Sequence, residues 1–378
     1  MKKNLPLFEI LWDREDIKSI EKIIRRGSYW ADGPEILEFE ERLSNYFSKN
    51  HCVTFNSGTS ALHSVLLAYG LTSGEVLVPT LSFISTANCV LLAGAKPVFI
   101  ESEEETLGLD PEDLLKKINN NTKAIIPMHY GGRTCKKIQE IKEIASDHNL
   151  LLIEDNAESL GSSFNNKLAG TFGDASMLSF CQNKIISTGE GGAIITDDEE
   201  VYKKLKLIRS HGRVQSQTIS YFSDHHIEDY IDIGYNFRMP TICAALGISQ
   251  LNRINSIIKK RQDFGNYYDI NLKKVKRIKI LKNIKEINNV YQLYTIILEN
   301  SEERNQMQEF LNQNGIMSKV YFDCIHLKTY YREKFGYSNG DLPKTENISN
   351  KLLTIPMLVN SGRKAQEYII SKLIEFFN

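Results

Sequence analysis

Lys184 is the residue whose surroundings in the sequence most clearly indicate chemistry. It follows an apolar run that ends at Phe180, and a glycine-rich turn at residues 189–192 leads on into the next apolar run. A lysine held between two buried strands is not an ordinary solvated charge. Burial lowers the pKa of its amine toward the range in which a lysine acts as nucleophile or base. A P-loop is the alternative interpretation, but the motif GxxxxGK[ST] is absent and the lysine precedes the glycines.

A second segment places a carboxylate at the end of an apolar run. Residues 150–155 read Leu-Leu-Leu-Ile-Glu-Asp, so Asp155 is predicted to end a buried strand. The carboxyl ends of strands border the ligand crevice in open α/β sheets. A buried carboxylate needs a partner, because an unpaired charge in a low dielectric is costly. A cationic ligand or a neighbouring arginine could be that partner, and the sequence leaves both open.

A third segment of small polar residues, 56–61, stands directly before a predicted helix. Free backbone N–H groups at a helix N-terminus bind anions, and Gly58 would let a phosphate approach the main chain closely. The same residues also fit a simple helix cap by Ser57 or Thr59. Together, the three segments supply an amine, a carboxylate and a phosphate anchor, which is the set that pyridoxal 5′-phosphate requires of a protein.

The elements that must position these residues alternate along the first two thirds of the chain. Their spacing is that of βαβ units, which predicts an α/β fold with a mostly parallel mixed sheet covered by helices on both faces. The predicted strands are residues 75–79, 97–100, 123–128, 150–155, 175–180 and 193–196. The predicted helices are residues 15–26, 34–47, 59–69, 83–93, 136–148 and 198–209, with one more beginning at 110.

The pattern changes after a helix predicted over residues 241–257. A basic stretch, 271–285, precedes a strand at 291–298 and helices at 302–313 and 362–376. We therefore expect a large α/β domain over residues 1–256, which holds the cofactor, and a small C-terminal α+β domain over residues 257–378. The lysines of the basic stretch alternate with apolar residues and no aromatic residue lies among them, which favours a solvated surface over nucleic-acid binding.

The composition excludes several classes of protein. Among 378 residues, 46 Lys and Arg balance 47 Asp and Glu, so a net charge of −1 gives no general attraction to nucleic acid or anionic membranes. No apolar run reaches the roughly 20 residues of a transmembrane helix, and charges at positions 13 and 14 interrupt any signal-peptide core. Six cysteines are scattered without a CxxC pair, which indicates reduced thiols in the cytoplasm, with neither a disulfide framework nor a metal site.

Over almost its whole length the chain resembles the DegT/DnrJ/StrS family of nucleotide-sugar aminotransferases, which are fold-type I pyridoxal-phosphate enzymes. The resemblance implies that fold and that cofactor. It also implies transfer of an amino group from L-glutamate to a nucleotide-linked keto-deoxysugar. The matching segments are residues 27–34, 56–62, 79–88, 153–161, 179–192 and 234–239, followed by His326 and residues 341–343.

The resemblance also implies residue roles. Lys184 matches the Schiff-base lysine, which would act as general base once the amino donor displaces it. Asp155 matches the carboxylate that faces the pyridine nitrogen, and Phe83 matches the aromatic residue that stacks on the cofactor ring. Asn236 matches an asparagine that reaches the phosphate from the neighbouring subunit, so a homodimer with shared active sites is implied. The residues that match the phosphate-binding groups are Ser57, Gly58, Thr59 and Ser179.

The nucleotide sugar is expected to lie across the dimer interface. The loops 213–232 and 321–341 are expected to set the sugar specificity. His326 also fits an ordinary core or surface histidine. The residues that we expect near the substrate are Tyr29, Trp30, Gly33, Arg238 and His326.

Three positions depart from the family pattern. Glu158 stands beside the cofactor site where most members have Gln or His, while Cys181 and Asn183 replace a His and a Thr. An asparagine before the lysine is found in perosamine-synthase-like members. It indicates amination at sugar C4, and hence an NDP-4-keto-6-deoxyhexose as substrate for polysaccharide biosynthesis.

Two alternatives to an aminotransferase remain. One is a pyridoxal-phosphate-dependent sugar dehydratase on the same scaffold, but in that branch a histidine replaces the lysine, so Lys184 argues against it. The other is a non-catalytic regulatory or binding protein that keeps the fold. Such a protein is expected to bind no chromophore and to lose the lysine–aspartate pair, whereas Lys184 and Asp155 are both present.

Overall fold

Helices and strands alternate through the part of the chain that the structure covers. The computed structural model describes residues 4–214 and 229–378, so most of the predicted specificity loop 213–232 lies outside the described residues. The helices α1 to α13 are Arg14–Arg26, Pro34–Phe47, Gly58–Ala68, Ser85–Ala93, Pro111–Lys117, Ile138–Asp147, Glu199–Arg209, Thr241–Asn252, Ile254–Leu272, Ser301–Gln313, Thr329–Phe335, Pro343–Ser349 and Gly362–Glu375. The strands β1 to β13 are His51–Phe55, Glu75–Pro79, Lys96–Ile100, Thr122–Ile125, Leu151–Asp155, Ser163–Phe164, Lys167–Leu168, Ala175–Ser179, Gly192–Thr196, Lys279–Ile280, Ile287–Asn288, Tyr294–Ile297 and Leu352–Ile355.

The large sheet has the order β1-β9-β8-β5-β4-β2-β3 among the described strands. Neighbouring strands from β3 to β8 run parallel. Strand β9 runs antiparallel to β8 on one side and to β1 on the other. This arrangement is the predicted mostly parallel mixed sheet, and the expected fold class is confirmed.

Helices cover both faces of this sheet. Along β2, Val76 and Val78 pack against α3 and α4, whereas Leu77 packs against α5 and α6 on the other face. Successive side chains of a strand point to opposite faces. Burial on both faces therefore explains why these strands are continuous apolar runs in the sequence.

The strand directions bring the site residues to one edge of the sheet. Strands β1, β2, β4, β5 and β8 all point the same way, because β1 and β8 are each antiparallel to β9. The carboxyl ends of β5 and β8 thus lie at the same edge as the turn from β1 into α3. The loop from β8 to β9, residues 180–191, also lies at that edge.

A second hydrophobic core surrounds the antiparallel sheet β10-β12-β13, where α9, α10 and α13 pack. The chain then returns to the large sheet, whose core includes Ile325, Tyr331 and Leu342. The predicted division into residues 1–256 and 257–378 stays a prediction, and α9 crosses its boundary. No helix in the described ranges is both long and apolar enough to cross a bilayer.

Candidate active site

The N-terminus of α3 is open toward the sheet edge. Ser57 caps the helix, because its extended backbone lets Oγ accept the N–H of Ser60 at 3.0 Å. The N–H groups of Gly58 and Thr59 have no carbonyl one turn before them within the helix, so they are available to an anion. Ser179, which ends β8, lies directly behind this turn, since a Cβ added at Gly58 would come within 3.1 Å of its Cβ.

Asp155 ends β5 in a buried position. Only 3% of the residue is exposed. Its Oδ2 accepts the hydroxyl of Thr86 at 2.8 Å, and its Oδ1 accepts the N–H of Ala157 at 3.1 Å. Burial raises the pKa of this carboxyl, although the two hydrogen bonds and the charge of Lys184 act in the opposite direction. Asp155 forms no ion pair with any described side chain, so the arginine partner that the sequence left open is not found among them.

Lys184 lies in the loop between β8 and β9, and its side chain is 12% exposed. Its Nζ is 3.4 Å from Oε1 of Glu158, and the Glu158 side chain is 1% exposed. The other carboxylate oxygen, Oε2, accepts the N–H of Gly131 at 3.1 Å. Burial raises the pKa of Glu158, and the nearby charge of Lys184 opposes that rise.

These groups border one cavity of about 530 Å³, a size typical of small-molecule sites. Eight of the residues predicted from the sequence line it, and they share the edge of the large sheet. Phe83 is 57% exposed, and its ring lies 6.1 Å from that of Phe322. The eight residues are Ser57, Gly58, Thr59, Phe83, Asp155, Glu158, Ser179 and Lys184.

Asn236 and Arg238 are not among the residues that line this cavity. The main-chain oxygen of Asn236 accepts the side-chain amide of Asn56 at 3.4 Å, and Arg238 Nη1 donates to Ser210 Oγ at 3.1 Å. A residue that serves the neighbouring subunit's site would also lie off its own cavity. The roles expected for Asn236 and Arg238 stay predictions.

Tyr29, Trp30 and Gly33 also lie apart from the cavity lining. The indole N–H of Trp30 donates to the carbonyl of Ile23 at 3.1 Å, and the N–H of Gly33 donates to Thr241 Oγ1 at 2.7 Å. Tyr29 is 47% exposed. Their expected contact with substrate stays a prediction.

His326 is fully buried between the large sheet and the returning chain. Its Nδ1 is 2.6 Å from Thr80 Oγ1, and its Nε2 is 3.1 Å from Glu346 Oε1. Burial lowers the pKa of His326, while Glu346 acts to raise it. These contacts correspond to the core histidine that the sequence also allowed, and its expected contact with substrate stays a prediction.

Comparison with known proteins shows to which family this chain belongs. The model described as "DegT/DnrJ/EryC1/StrS aminotransferase family" matches residues 11–374. The chain belongs to this family. It is therefore an aminotransferase, and the resemblance found in the sequence is confirmed.

Three relatives illustrate how far the similarity to other DegT/DnrJ/EryC1/StrS aminotransferases extends. GDP-perosamine synthase of Escherichia coli O157:H7 is 33% identical over 349 residues, which are 92% of this chain and 92% of the relative. Helicobacter pylori PseC, an aminotransferase involved in the biosynthesis of pseudoaminic acid, superposes with a TM-score of 0.91 and 29% identity, covering 99% of both chains. The PLP form of the sugar aminotransferase Spr1654 from Streptococcus pneumoniae gives a TM-score of 0.89 and 27% identity, covering 99% of this chain and 98% of that one.

DegT/DnrJ/EryC1/StrS aminotransferases depend on pyridoxal phosphate, and the residues present fit that group. A side chain at Gly58 would crowd Ser179 at 3.1 Å and Met177 at 3.2 Å, so the glycine keeps the anion position open. The carboxylate of Asp155 is buried, lines the cavity and forms no ion pair with any described side chain, which suits a cationic group of a cofactor. The amine of Lys184 completes the set from within the same cavity.

Sequence reasoning missed one residue behind Asp155 and most of the opposite wall of the cavity, of which it gave only the expected specificity loop that begins at residue 321. Thr86, which binds Asp155, lies in the matching segment 79–88, so its hydroxyl was a signal that could have been used. Gln292 and Tyr321 also line the cavity. The amide of Asn183 donates to the hydroxyl of Tyr321 at 2.9 Å across a sequence separation of 138 residues, for which the sequence has no local signal.

Proposed function

We propose that this chain transfers the amino group of L-glutamate to a nucleotide-linked keto-deoxysugar, an NDP-4-keto-6-deoxyhexose, for cell-surface polysaccharide or glycan biosynthesis. The observation that carries the proposal is the sequestered amine of Lys184, in one cavity with the buried Asp155 and the open N-terminus of α3. The similarity to a GDP-perosamine synthase supports a sugar nucleotide as acceptor. Asn183, directly before the lysine, supports amination at C4.

The cofactor would be held by residues from four elements. The N–H groups at the start of α3, with Ser57, Thr59 and the hydroxyl of Ser179, would bind its phosphate. Lys184 would hold it covalently, and Phe83 would cover its ring. Glu158 would lie beside the bound cofactor because it already lies beside Lys184.

When bound, pyridoxal phosphate supplies an aldehyde carbon that carries the amino group and a ring that accepts electrons from the carbon losing a proton. Asp155, held by Thr86 and Ala157, would supply the negative charge that keeps the ring nitrogen protonated. Lys184 Nζ, once freed by the amino donor, would act as the base that takes the proton from the donor's α-carbon and as the acid that returns it. The burial of Lys184, whose side chain is 12% exposed, would limit loss of that proton to water.

The simplest test is optical. Protein loaded with pyridoxal phosphate should show a visible absorption band that glutamate removes, and borohydride should fix the cofactor on the peptide that contains Lys184. The Lys184→Ala variant is the control, and it should form no covalent adduct. Keto-deoxysugars on UDP, dTDP and GDP should then restore the band, and the carrier that does so identifies the nucleotide. A protein that takes up no cofactor, or a band that none of the sugars restores, contradicts the proposal.

We also propose a homodimer with shared active sites in the cytoplasm. Large apolar side chains that are exposed in the single chain, Trp12 at 62% and Trp30 at 49%, support an interface. The six cysteines are free, which supports a reducing compartment.

Subunit mixing tests the shared sites. If Asn236 serves the partner's cofactor, a Lys184→Ala subunit paired with an Asn236→Ala subunit contains one intact site and one doubly altered site. An equimolar mixture of the two inactive variants should then recover about a quarter of wild-type activity after exchange. No recovery in a mixture that is dimeric by sedimentation contradicts shared sites.

A further inference from the structure

The cavity has a second wall, formed by an extended segment at residues 317–321. Lys319 pairs with Thr354 of β13 through main-chain bonds of 3.0 and 2.8 Å, so the segment continues the smaller sheet. Met317, Lys319 and Tyr321 all line the cavity, as expected for alternate residues of an extended chain. The groups proposed to hold the cofactor lie on the large sheet, so this wall is left for a substrate.

Tyr321 is joined across the cavity to the loop that carries Lys184. Its hydroxyl accepts the side-chain amide of Asn183 at 2.9 Å. Asn183 is itself held, because the side-chain amide of Gln292 donates to its main-chain oxygen. The hydroxyl of Tyr321 is therefore fixed in position before any substrate binds.

The hydrogen bond to Asn183 also decides what the hydroxyl can do. A phenol has one proton to donate, and the amide of Asn183 occupies an acceptor position of the oxygen, so the proton stays available. Burial raises the pKa of Tyr321, and the charge of Glu158 raises it further, so the hydroxyl stays protonated at neutral pH. The Tyr321 hydroxyl is a fixed hydrogen-bond donor in the cavity wall.

The surroundings of the Tyr321 hydroxyl favour an uncharged oxygen as its hydrogen-bond acceptor. The ring of Phe322 lies 4.5 Å from that of Tyr321 and 6.1 Å from that of Phe83. Glu158 and Lys319 are oppositely charged neighbours of Tyr321, with Lys319 Nζ 5.2 Å from the centre of its ring, so neither charge acts there unopposed. A sugar, with apolar C–H faces and neutral oxygens, fits both features.

We propose that Tyr321 donates a hydrogen bond to an oxygen of the keto-deoxysugar and that Asn183 is the positioning residue that holds it for this contact. The assignment rests on the proposed function, because it needs the sugar as substrate. It gives a physical role to Asn183, one of the positions at which this chain departs from the family pattern.

A double-mutant cycle measured on each half-reaction tests this assignment. Tyr321→Phe keeps the ring, so it should raise KM for the keto-deoxysugar about tenfold, which is the usual scale for one lost hydrogen bond. The half-reaction with glutamate should keep its KM and rate within about twofold. Asn183→Ala should raise KM for the sugar by less, and should add nothing in the Tyr321→Phe background.

Binding can be measured apart from turnover on borohydride-reduced holoenzyme. The probe is the UDP-, dTDP- or GDP-linked 4-keto-6-deoxyhexose that the wild type aminates, and calorimetry should give the same order of affinities as the KM values. Tyr331→Phe is the matched control, because Tyr331 is buried away from the cavity and its hydroxyl donates to Asn88 at 2.7 Å. This control should bind the sugar as the wild type does.

Each remaining outcome is decisive. Additive effects of the two substitutions, or an unchanged KM for the sugar, overturn the inference. A rise in KM for glutamate alone assigns Tyr321 to the carboxylate of the amino donor and overturns it as well. A wild-type enzyme that aminates none of the three sugars contradicts the proposed function itself, and this is seen before any variant is measured.

Discussion

Lys184 Nζ lies 3.4 Å from Glu158 Oε1, with 12% of the lysine side chain and 1% of the glutamate side chain exposed. Glu158 occupies a position where most relatives are expected to have Gln or His. Its second oxygen is fixed by the N–H of Gly131, a residue with a φ of +62°. The amine proposed to hold the cofactor therefore has an acidic neighbour whose position is set by the main chain.

We expect Glu158→Gln to lower the pH midpoint of the holoenzyme's visible absorption by about one unit. The amide keeps the shape of the side chain 3.4 Å from the nitrogen that would hold the cofactor and removes the acidic group. A pH titration of the absorption band measures the midpoint. Glu190→Gln is the control, since Glu190 lines the same cavity but its Oε1 contacts Cys181 Sγ at 3.5 Å. Equal midpoints in both variants would contradict the expected role of Glu158.

We expect Asp155→Asn to stabilise the cofactor-free protein at neutral pH. Burial raises the folded-state pKa of Asp155 above its ordinary 3.8. Between the ordinary and the raised pKa, the folded protein binds more protons than the unfolded chain, so stability falls as pH rises. The loss of folding stability is complete above the raised pKa and absent below the ordinary pKa. An asparagine avoids it, because its oxygen can still accept from Ala157 and its nitrogen can donate to Thr86.

Thermal unfolding of the two apoproteins measures this difference. The variant should melt about 2–6 °C higher near neutral pH, and the curves should converge in acid. Asp110→Asn is the control, and it should change the melting temperature at neutral pH in the opposite direction. Its partial burial is outweighed by hydrogen bonds from Lys344 and the N–H of Glu112, which hold the pKa of Asp110 below its ordinary value. A lower melting temperature for apo Asp155→Asn at neutral pH would show that its burial costs nothing.

Local signals in the sequence were enough to predict the helices whose ends are marked by caps and turns. Helix α1 ends at Gly27, whose φ is +71°, and α2 begins with Pro34 at its first turn. The prediction failed where contacts between residues far apart in the sequence determine the local structure. The helix predicted over 241–257 is two helices, α8 and α9, which separate at Arg253, where the guanidinium reaches Asp13 and Asp16 near the N-terminus. Strands β6, β7 and β11 were not predicted because two residues carry no periodicity, and β1 and β13 were not predicted although they are as long as strands that were.

The same distinction applies to the cavity. Gly58, Asp155 and Lys184 were found because each sits in a local pattern of strand, turn and helix. Tyr321 was expected only as part of the specificity loop 321–341, and its contact with Asn183 was missed because the two residues are 138 positions apart and only the folded chain brings them together.

We expect Gly58→Ala to weaken binding of pyridoxal phosphate at least tenfold. The added Cβ would lie 3.1 Å from Ser179 Cβ and 3.2 Å from Met177 Sδ, so the turn must move away from the phosphate position. Overpacking of this kind costs about 1–3 kcal/mol. Titration of apoprotein with the cofactor measures the affinity. Ser64→Ala, further along α3 and away from the cavity lining, is the control and should bind normally. Equal affinities in the two variants would place the phosphate elsewhere.

We expect His326→Ala to lower stability and to leave KM for the sugar unchanged. The substitution removes a fully buried ring and takes one hydrogen bond each from Thr80 and Glu346. Glu346 keeps the N–H groups of Gly340 and Leu342. One lost hydrogen bond costs about 0.5–1.5 kcal/mol, and the lost packing of the ring adds to this. Burial also lowers the folded-state pKa of His326 from 6.5, so wild-type stability should fall as pH drops below that value, and the variant should lack this part of the decline.

Thermal unfolding across pH and sugar kinetics at one pH separate the two roles of His326. His148→Ala is the control, because His148 is exposed just after α6 and should change neither measurement. A loss of stability at constant KM assigns His326 to the packing of the returning chain against β2, whose last residue, Pro79, precedes Thr80. A higher KM at unchanged stability would instead restore the substrate contact expected from the sequence. A buried side chain can produce that result only if the site opens on binding.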